Sequence, residues 1–132
     1  MKTLLLIDDD PVMTEAVRDI LELLEAPILI ACDGHEGLKL YAANHQEIGL
    51  VVLDLLMPGI NGEEMLKELR EINPAVEVLM SSGYDTQSLA ITYGVGSLRK
   101  PYGIRQLEQV VSWYLREAAG GTAGAAVEEQ VR

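Results

Sequence analysis

The chain has 132 residues, a length typical of one globular domain with a sizeable hydrophobic core. Its 21 Asp and Glu residues outnumber its 10 Lys and Arg residues, and the net charge of -11 argues against nucleic acid or an anionic membrane as a direct partner. No apolar run approaches the roughly 20 residues that cross a membrane, and Met1-Lys2-Thr3 leads directly into a predicted strand, so we expect no signal peptide.

The first predicted strand covers about residues 2–7 and runs into Asp8, Asp9 and Asp10. Pro11 then suits the first turn of a helix, because the backbone N–H that proline lacks would have no helical partner there. We assign Asp10 to the cap of this helix rather than to a metal site. The apolar period near 3.6 residues predicts an inward face of Val12, Met13, Ala16, Val17, Ile20, Leu21, Leu23 and Leu24.

The only cysteine, Cys32, falls in a second predicted strand at about residues 28–32. We predict that it is a buried strand residue rather than a redox site. Since it cannot form an internal disulfide, the chain suits the reducing cytoplasm. A helix over about residues 35–44 follows, with Leu38 and either Tyr41 or Ala42 facing inward.

The third strand is an unbroken apolar run over residues 50–53 that follows Gly49 and ends at Asp54. Such a run is typical of a strand buried on both faces in the middle of a parallel sheet. Ligands bind at the carboxyl ends of such strands, and burying an unpaired charge is costly, so Asp54 is a candidate functional residue. If the first and third strands are parallel neighbours, Asp8, Asp9 and Asp54 converge, and their oxygens suit a hard divalent cation such as Mg²⁺.

A third helix over about residues 63–72 and a fourth strand at about 76–81 come next. A weaker fifth strand, at about residues 95–99, runs into Lys100-Pro101. The segment between the fourth and fifth strands leaves little room for a helix, so we predict that helix four is short or irregular and covers about residues 85–93.

The fifth predicted helix covers about residues 104–118 and turns Trp113 away from the core, where it is a candidate contact residue. Its predicted core face consists of Ile104, Leu107, Val111, Tyr114 and Leu115. Residues 119–132 are rich in Gly and Ala, so we predict a domain over residues 1–118 and a flexible tail or linker over 119–132.

The polar residues at the predicted strand ends occur in the order Asp8-Asp9, Asp54, Ser82 and Lys100-Pro101. Over roughly residues 2–118, this order resembles the receiver domain of two-component response regulators. The stretch from Ser82 to Asp85 is closest in style to receivers of hybrid sensor histidine kinases. The resemblance implies an α/β, doubly wound (βα)5 flavodoxin-like fold with a parallel sheet of strand order 2-1-3-4-5.

The resemblance also implies roles for single residues. Asp54 is the phosphoacceptor, Lys100 pairs first with Asp54 and then with the phosphoryl group, and a serine is the switch hydroxyl. The spacing from Asp54 and the following glycine favour Ser82 for the switch, since strand alternation is expected to turn Ser81 away from the site. The family often has an aromatic residue three positions before the lysine, and this chain has Ser97 there.

The implied cofactor is Mg²⁺ or Mn²⁺, bound by Asp9, Asp54 and the backbone carbonyl of Leu56, with Asp8 acting through water. The implied phosphodonor is a histidine kinase or a histidine phosphotransfer protein. The resemblance also implies that helix four, strand five and helix five form a surface for self-association or for an output partner. The expected activity is self-catalysed phosphoryl transfer and autodephosphorylation by a signalling domain, rather than turnover of a metabolic substrate.

Two alternatives remain on the sequence alone. A pseudo-receiver, a binding module of the same fold that has lost phosphorylation, is disfavoured by the intact acidic pair, acceptor and lysine. A haloacid-dehalogenase-like phosphatase also uses an aspartyl nucleophile and Mg²⁺, but that class has a second aspartate two positions after the nucleophile. Leu56 occupies that position here.

Overall fold

Short apolar runs and amphipathic segments alternate along the chain, and they form the strands and helices of one layered α/β structure. This computed structural model describes residues 2–55, 57, 61–82, 94–99 and 104–117, with the backbone alone at 82, 97–99, 104 and 114–117. The strands are β1 (Thr3–Ile7), β2 (Ile28–Ala31), β3 (Ile48–Asp54), β4 (Val78–Ser82) and β5 (Gly96–Arg99). The helices are α1 (Pro11–Leu23), α2 (Gly34–Asn44), α3 (Gly62–Ile72) and the 104–117 helix (Ile104–Glu117).

All the strand pairs are parallel, and the sheet has the order β2-β1-β3-β4-β5. This order confirms the predicted doubly wound topology, in which β1 and β3 lie at the centre. The predicted helix four, Pro101 and the tail lie outside the described residues. Within the described part, no helix is both long enough and apolar enough to cross a bilayer.

The central strand β3 is buried along its whole length, from Ile48 to Asp54. It begins earlier than predicted, because Gly49 lies inside the strand rather than before it. Thr3 pairs with Ile48 while Leu4 pairs with Leu50, so Gly49 is the extra residue at an irregularity in the pairing. Such an irregularity is a β-bulge, which bends the strand. Glycine suits it because it adopts unusual backbone conformations easily and has no side chain that must be packed.

The sheet separates two hydrophobic cores. Side chains alternate between the faces of a strand, so neighbouring residues of β1, β3 and β4 contribute to different cores. The first core lies under α1 and the 104–117 helix and includes Leu4, Leu6, Val17, Ile20, Leu21, Leu50, Val52, Leu79, Leu107, Val110 and Val111. The second lies under α2 and α3 and includes Leu5, Ile7, Tyr41, Val51, Leu53, Met65, Leu66, Leu69, Val78 and Met80.

Three helices begin with a side-chain cap. The carboxylate of Asp10 accepts a hydrogen bond from the backbone N–H of Val12 at 3.0 Å, which confirms its predicted role at the start of α1. Asp33 caps α2 and Asn61 caps α3 in the same way. Each cap satisfies a backbone N–H that the helix itself leaves without a partner.

The structure corrects two predictions of burial. Cys32 is exposed rather than buried, because β2 ends at Ala31 and the chain must leave the sheet to place Asp33 at the cap of α2. Val12, Ala16 and Leu23 are also exposed, so the buried face of α1 is narrower than predicted. In α2, the inward residue is Tyr41, and Ala42 is exposed.

As far as its side chains are described, the 104–117 helix buries more than was predicted, and the predicted core residues Ile104, Tyr114 and Leu115 lie outside the described side chains. Leu107 and Val111 are buried as expected, but Val110 is buried beside them. Trp113, one turn beyond Val110 on the same side of the helix, packs against the first core instead of turning away from it. The prediction that Trp113 is turned away from the core is therefore wrong, and the contact surface itself stays a prediction.

A polar contact lies at the opposite end of the sheet from Asp54. The Asn73 amide donates to the Tyr41 hydroxyl at 3.1 Å and joins α2 to the turn after α3. Burial raises the pKa of Tyr41, and this hydrogen bond opposes the rise.

Burial also raises the pKa of Glu77, just before β4.

Candidate functional site

The candidate site is formed where the two central strands end. Because β1 and β3 are parallel neighbours and Ile7 pairs with Leu53, the next residues, Asp8 and Asp54, lie side by side. Asp8 is 1% exposed and Asp54 is 5% exposed, whereas Asp9 is exposed to solvent. Apolar strands therefore place two carboxylates inside the protein and a third at its surface.

The three carboxylates that were predicted to converge do come together. One carboxylate oxygen from each of Asp8, Asp9 and Asp54 lies within 4.8 Å of the others. Asp8 is held in place in part by its own loop, since its Oδ1 accepts a hydrogen bond from the backbone N–H of Asp10 at 2.9 Å. Asp8 and Asp54 each make a further interaction as well.

The donor set fits a hard divalent cation. All three groups offer oxygen, and three like charges this close repel one another unless a cation lies among them. The exposed carboxylate of Asp9 gives the cluster a side that is open to solvent. These residues fit a Mg²⁺ or Mn²⁺ ion better than a soft metal, for which thiolate or imidazole ligands are preferred.

The loop after Asp54 is fixed to the neighbouring strand and to α3. The backbone N–H of Leu55 donates to the carbonyl of Ser81 at 3.1 Å, which continues the β3–β4 pairing beyond Asp54. Gly62, the first residue of α3, lies against the Leu55 side chain, where a Cβ would collide with it. Glycine at this position lets the helix start close to the end of β3.

Ser81 lies beside Asp54, although strand alternation was expected to turn its side chain away from the site. It pairs with Asp54 across β3 and β4, so the two side chains leave the same face of the sheet. Ser81 is 0% exposed, and its Oγ has no hydrogen-bond partner in the described part of the chain. Only the register of β4 against β3 places Ser81 here, and the sequence carries no signal for that register.

The remaining predicted site residues are only partly described. Ser82 is the last residue of β4 and pairs with Arg99, so its backbone is at the expected edge of the sheet. Its side chain lies outside the described part. Leu56 and Lys100 also lie outside the described residues, so their predicted roles stay predictions.

A comparison with known proteins agrees with this architecture. The family model of the response regulator receiver domain matches residues 4–112. The chain is 36% identical over 122 residues to a transcriptional regulatory protein, the CpxR homolog of Haemophilus influenzae, a match that covers 90% of this chain and 52% of that protein. The chain thus spans about half the length of the curated relatives it matches.

Solved structures give the same result. The receiver domain of the hybrid histidine kinase CckA is 31% identical, with a TM-score of 0.73 over 86% of this chain and 98% of that chain. The response regulator protein TrrA of Thermotoga maritima, solved in complex with Mg²⁺-BeF, is 27% identical, with a TM-score of 0.75 over 85% of this chain and 97% of that chain. These matches confirm the resemblance seen in the sequence, and the chain belongs to the response regulator receiver domains of two-component systems.

Proposed function

We propose that the chain is a phosphoaccepting receiver in which Asp54 takes a phosphoryl group from a phosphorylated histidine in a Mg²⁺-dependent reaction. The donor is a histidine kinase or a histidine phosphotransfer protein. The observation that carries the proposal is the nearly buried Asp54, at the end of the central strand and within 4.8 Å of two further carboxylates. The similar TrrA structure, solved with Mg²⁺-BeF, supports the metal dependence.

In the proposed reaction, a carboxylate oxygen of Asp54 forms a bond to phosphorus while the bond from phosphorus to the donor nitrogen breaks. The donor histidine keeps the electron pair of that bond. Catalysis of such a transfer consists mainly of positioning and electrostatic stabilisation. A cation held by Asp9, Asp54 and the Leu56 carbonyl, with Asp8 acting through water, would neutralise charge on the phosphoryl oxygens.

The proposal gives the other predicted site residues distinct tasks. Lys100 pairs with Asp54 before transfer and with a phosphoryl oxygen after it, and Ser82 is the hydroxyl that responds to the phosphoryl group. The resulting change is passed to a partner, or to a second copy of the chain, through the surface of helix four, β5 and the 104–117 helix. We place this domain at residues 1–118, with residues 119–132 as a tail, in the cytoplasm.

Incubation with Mg²⁺ and acetyl phosphate tests the proposal. We expect one phosphoryl group per chain, measured by intact mass, in a form that is sensitive to hydroxylamine as an acyl phosphate is. Asp54→Asn should remove the label, and Asp10→Asn is the matched control, because it removes a neighbouring charge while keeping a capping oxygen for α1.

Each alternative gives a different result in the same experiment. A parent protein that takes up no label from acetyl phosphate or from a phosphorylated histidine donor is a binding module. Repeated turnover of the donor without a stable acyl phosphate indicates a phosphatase. Full labelling of Asp54→Asn would show that another residue is the acceptor.

A further inference from the structure

A buried hydroxyl lies beside Asp54 and has no task in the reaction described above. Ser81 is 0% exposed, and its Oγ has no hydrogen-bond partner within the described ranges. Buried polar groups nearly always have partners, because leaving one without a partner destabilises the folded state. Proteins tolerate such a cost most often at functional sites, where the group acts in another state.

The position of Ser81 in the sheet connects it to the carboxylate cluster. Leu6, Val52 and Leu79 all belong to the first hydrophobic core, so their side chains leave the same face of the sheet. Side chains two residues apart in a strand lie on the same face, so Asp8, Asp54 and Ser81 lie on this face as well. Pairing of Ile7 with Leu53 and of Asp54 with Ser81 aligns these three in one row across β1, β3 and β4.

Asp54 is the middle member of this row. Its carboxylate has the Asp8 carboxylate on one side and the Ser81 hydroxyl on the other, because β3 lies between β1 and β4. Neighbouring strands lie about 4.8 Å apart, and a serine hydroxyl can occupy three staggered positions about χ1. Rotation of Ser81 therefore brings a donor within reach of Asp54 without any movement of the backbone.

We propose that Ser81 is a positioning residue for phosphoryl transfer to Asp54. Its hydroxyl donates a hydrogen bond to the Asp54 carboxylate on the side away from Asp8 and fixes the rotation of that carboxylate. This inference rests on the proposed function. An Asp54 oxygen forms the bond to phosphorus, the donor's leaving atom keeps the electron pair of the broken bond, and Ser81 keeps its proton.

The hydrogen bond is unmade in the resting structure and made during transfer. An interaction that is stronger in the transition state than in the ground state accelerates the reaction instead of tightening the resting site. Catalytic hydrogen bonds often form only in the reactive complex. The Ser81 hydroxyl, which has no hydrogen-bond partner in the described part of the chain, thus has a reason to remain beside Asp54.

Three variants of the full chain separate this role from packing. Ser81→Ala removes the hydroxyl and leaves no larger side chain to accommodate. Ser81→Thr and Ser81→Val add almost the same volume and differ only in the hydroxyl, so any strain from the added methyl group affects both. Acetyl phosphate is the probe for the labelling rate. MgCl₂ is the probe for metal binding, which is measured as the shift in melting temperature.

We expect Ser81→Ala to lower the maximal labelling rate about tenfold, as loss of orientation does, with the half-saturating donor and Mg²⁺ concentrations unchanged. Its melting temperature should be equal to that of the parent or higher, because the variant lacks a buried polar group that has no partner within the described ranges. Ser81→Thr should be labelled about tenfold faster than Ser81→Val.

Equal maximal rates for the parent and Ser81→Ala, or for the Thr and Val variants, overturn the inference while leaving the proposed function intact. A lower melting temperature of Ser81→Ala at an unchanged rate would identify a structural hydroxyl instead. A parent protein that acetyl phosphate does not label at all overturns both the proposed function and this inference.

Discussion

Asp54→Asn should stabilise the folded protein when no divalent cation is present. The substitution keeps the size of the side chain and removes one of three carboxylates whose oxygens lie within 4.8 Å of one another. At that separation, two unit charges repel by ~3.5 kcal/mol at an effective dielectric of about 20 and by ~0.9 kcal/mol at that of bulk water.

Burial decides which figure applies to each pair. Asp8 and Asp54 are both buried, so their repulsion is nearer to the upper figure, whereas the exposed Asp9 is screened and its repulsion is nearer to the lower one. Since Asp8 and Asp54 each make a further interaction, we take about half of the sum, or ~2 kcal/mol of unfolding free energy. For a domain of this size, that corresponds to a rise in melting temperature of roughly 7 °C.

The assay is thermal or denaturant unfolding of the parent and the variant, first in EDTA and then in millimolar Mg²⁺. In EDTA, we expect Asp54→Asn to have a higher unfolding free energy than the parent. In Mg²⁺ this difference should shrink or reverse, because the cation binds the three carboxylates of the folded parent more tightly than the two carboxylates of the variant. Asp10→Asn is the control, since it removes one negative charge as well but lies at the α1 cap outside the cluster. If Asp54→Asn shows no gain in EDTA, or if Asp10→Asn gains as much, the repulsion argument fails.

Three further predictions concern other residues. Asp9→Ala should abolish the stabilisation of the parent by Mg²⁺, so a melting temperature that still rises with Mg²⁺ would place the ion elsewhere. Burial raises the pKa of Glu77 above 4.5, because the folded protein favours the protonated side chain. Below pH 4.5 the side chain is protonated in both the folded and the unfolded state, and burial of its charge costs no folding free energy. As the pH rises through the raised pKa, the side chain ionises and the folded state loses stability. Glu77→Gln should therefore raise the melting temperature near pH 7 and leave it unchanged near pH 4, and equal effects at both pH values would contradict this. Leu56 offers no group to orient a hydrolytic water, so Leu56→Asn should shorten the lifetime of the acyl phosphate severalfold, measured as its decay in excess Mg²⁺ after the donor is removed. A parent that decays as fast as the variant would refute this prediction.

The sequence predicted the described strands and helices and the carboxylate cluster for a simple physical reason. Apolar runs that end in acidic residues mark the carboxyl ends of buried strands, and parallel strands bring these ends to one edge. Asp8, Asp9 and Asp54 therefore converge as expected. The strand order itself came from the family resemblance, because no local pattern specifies which strands are neighbours.

The errors arose where tertiary packing chose between local options. The rotation of the 104–117 helix buries Val110 and draws Trp113 onto the core, although the helical period alone permits another face. The pairing of β4 with β3 aligns Ser81 with Asp54, and a shift by one residue would have aligned Ser82 instead. Gly49 was predicted to end a loop because a bulge inside a strand has the same local signature as a turn.

The exposed Cys32 makes this receiver suitable for spectroscopy. It is the only cysteine in the chain, and it follows Ala31, whose carbonyl accepts a hydrogen bond from the backbone N–H of Asp8 at 3.1 Å. A nitroxide coupled to this thiol would be attached one residue from Ala31, which contacts the backbone of Asp8 in the carboxylate cluster. The chain has no other thiol that would have to be removed. Paramagnetic Mn²⁺ bound among the carboxylates would then broaden the nitroxide signal, and diamagnetic Mg²⁺ would restore it by competition.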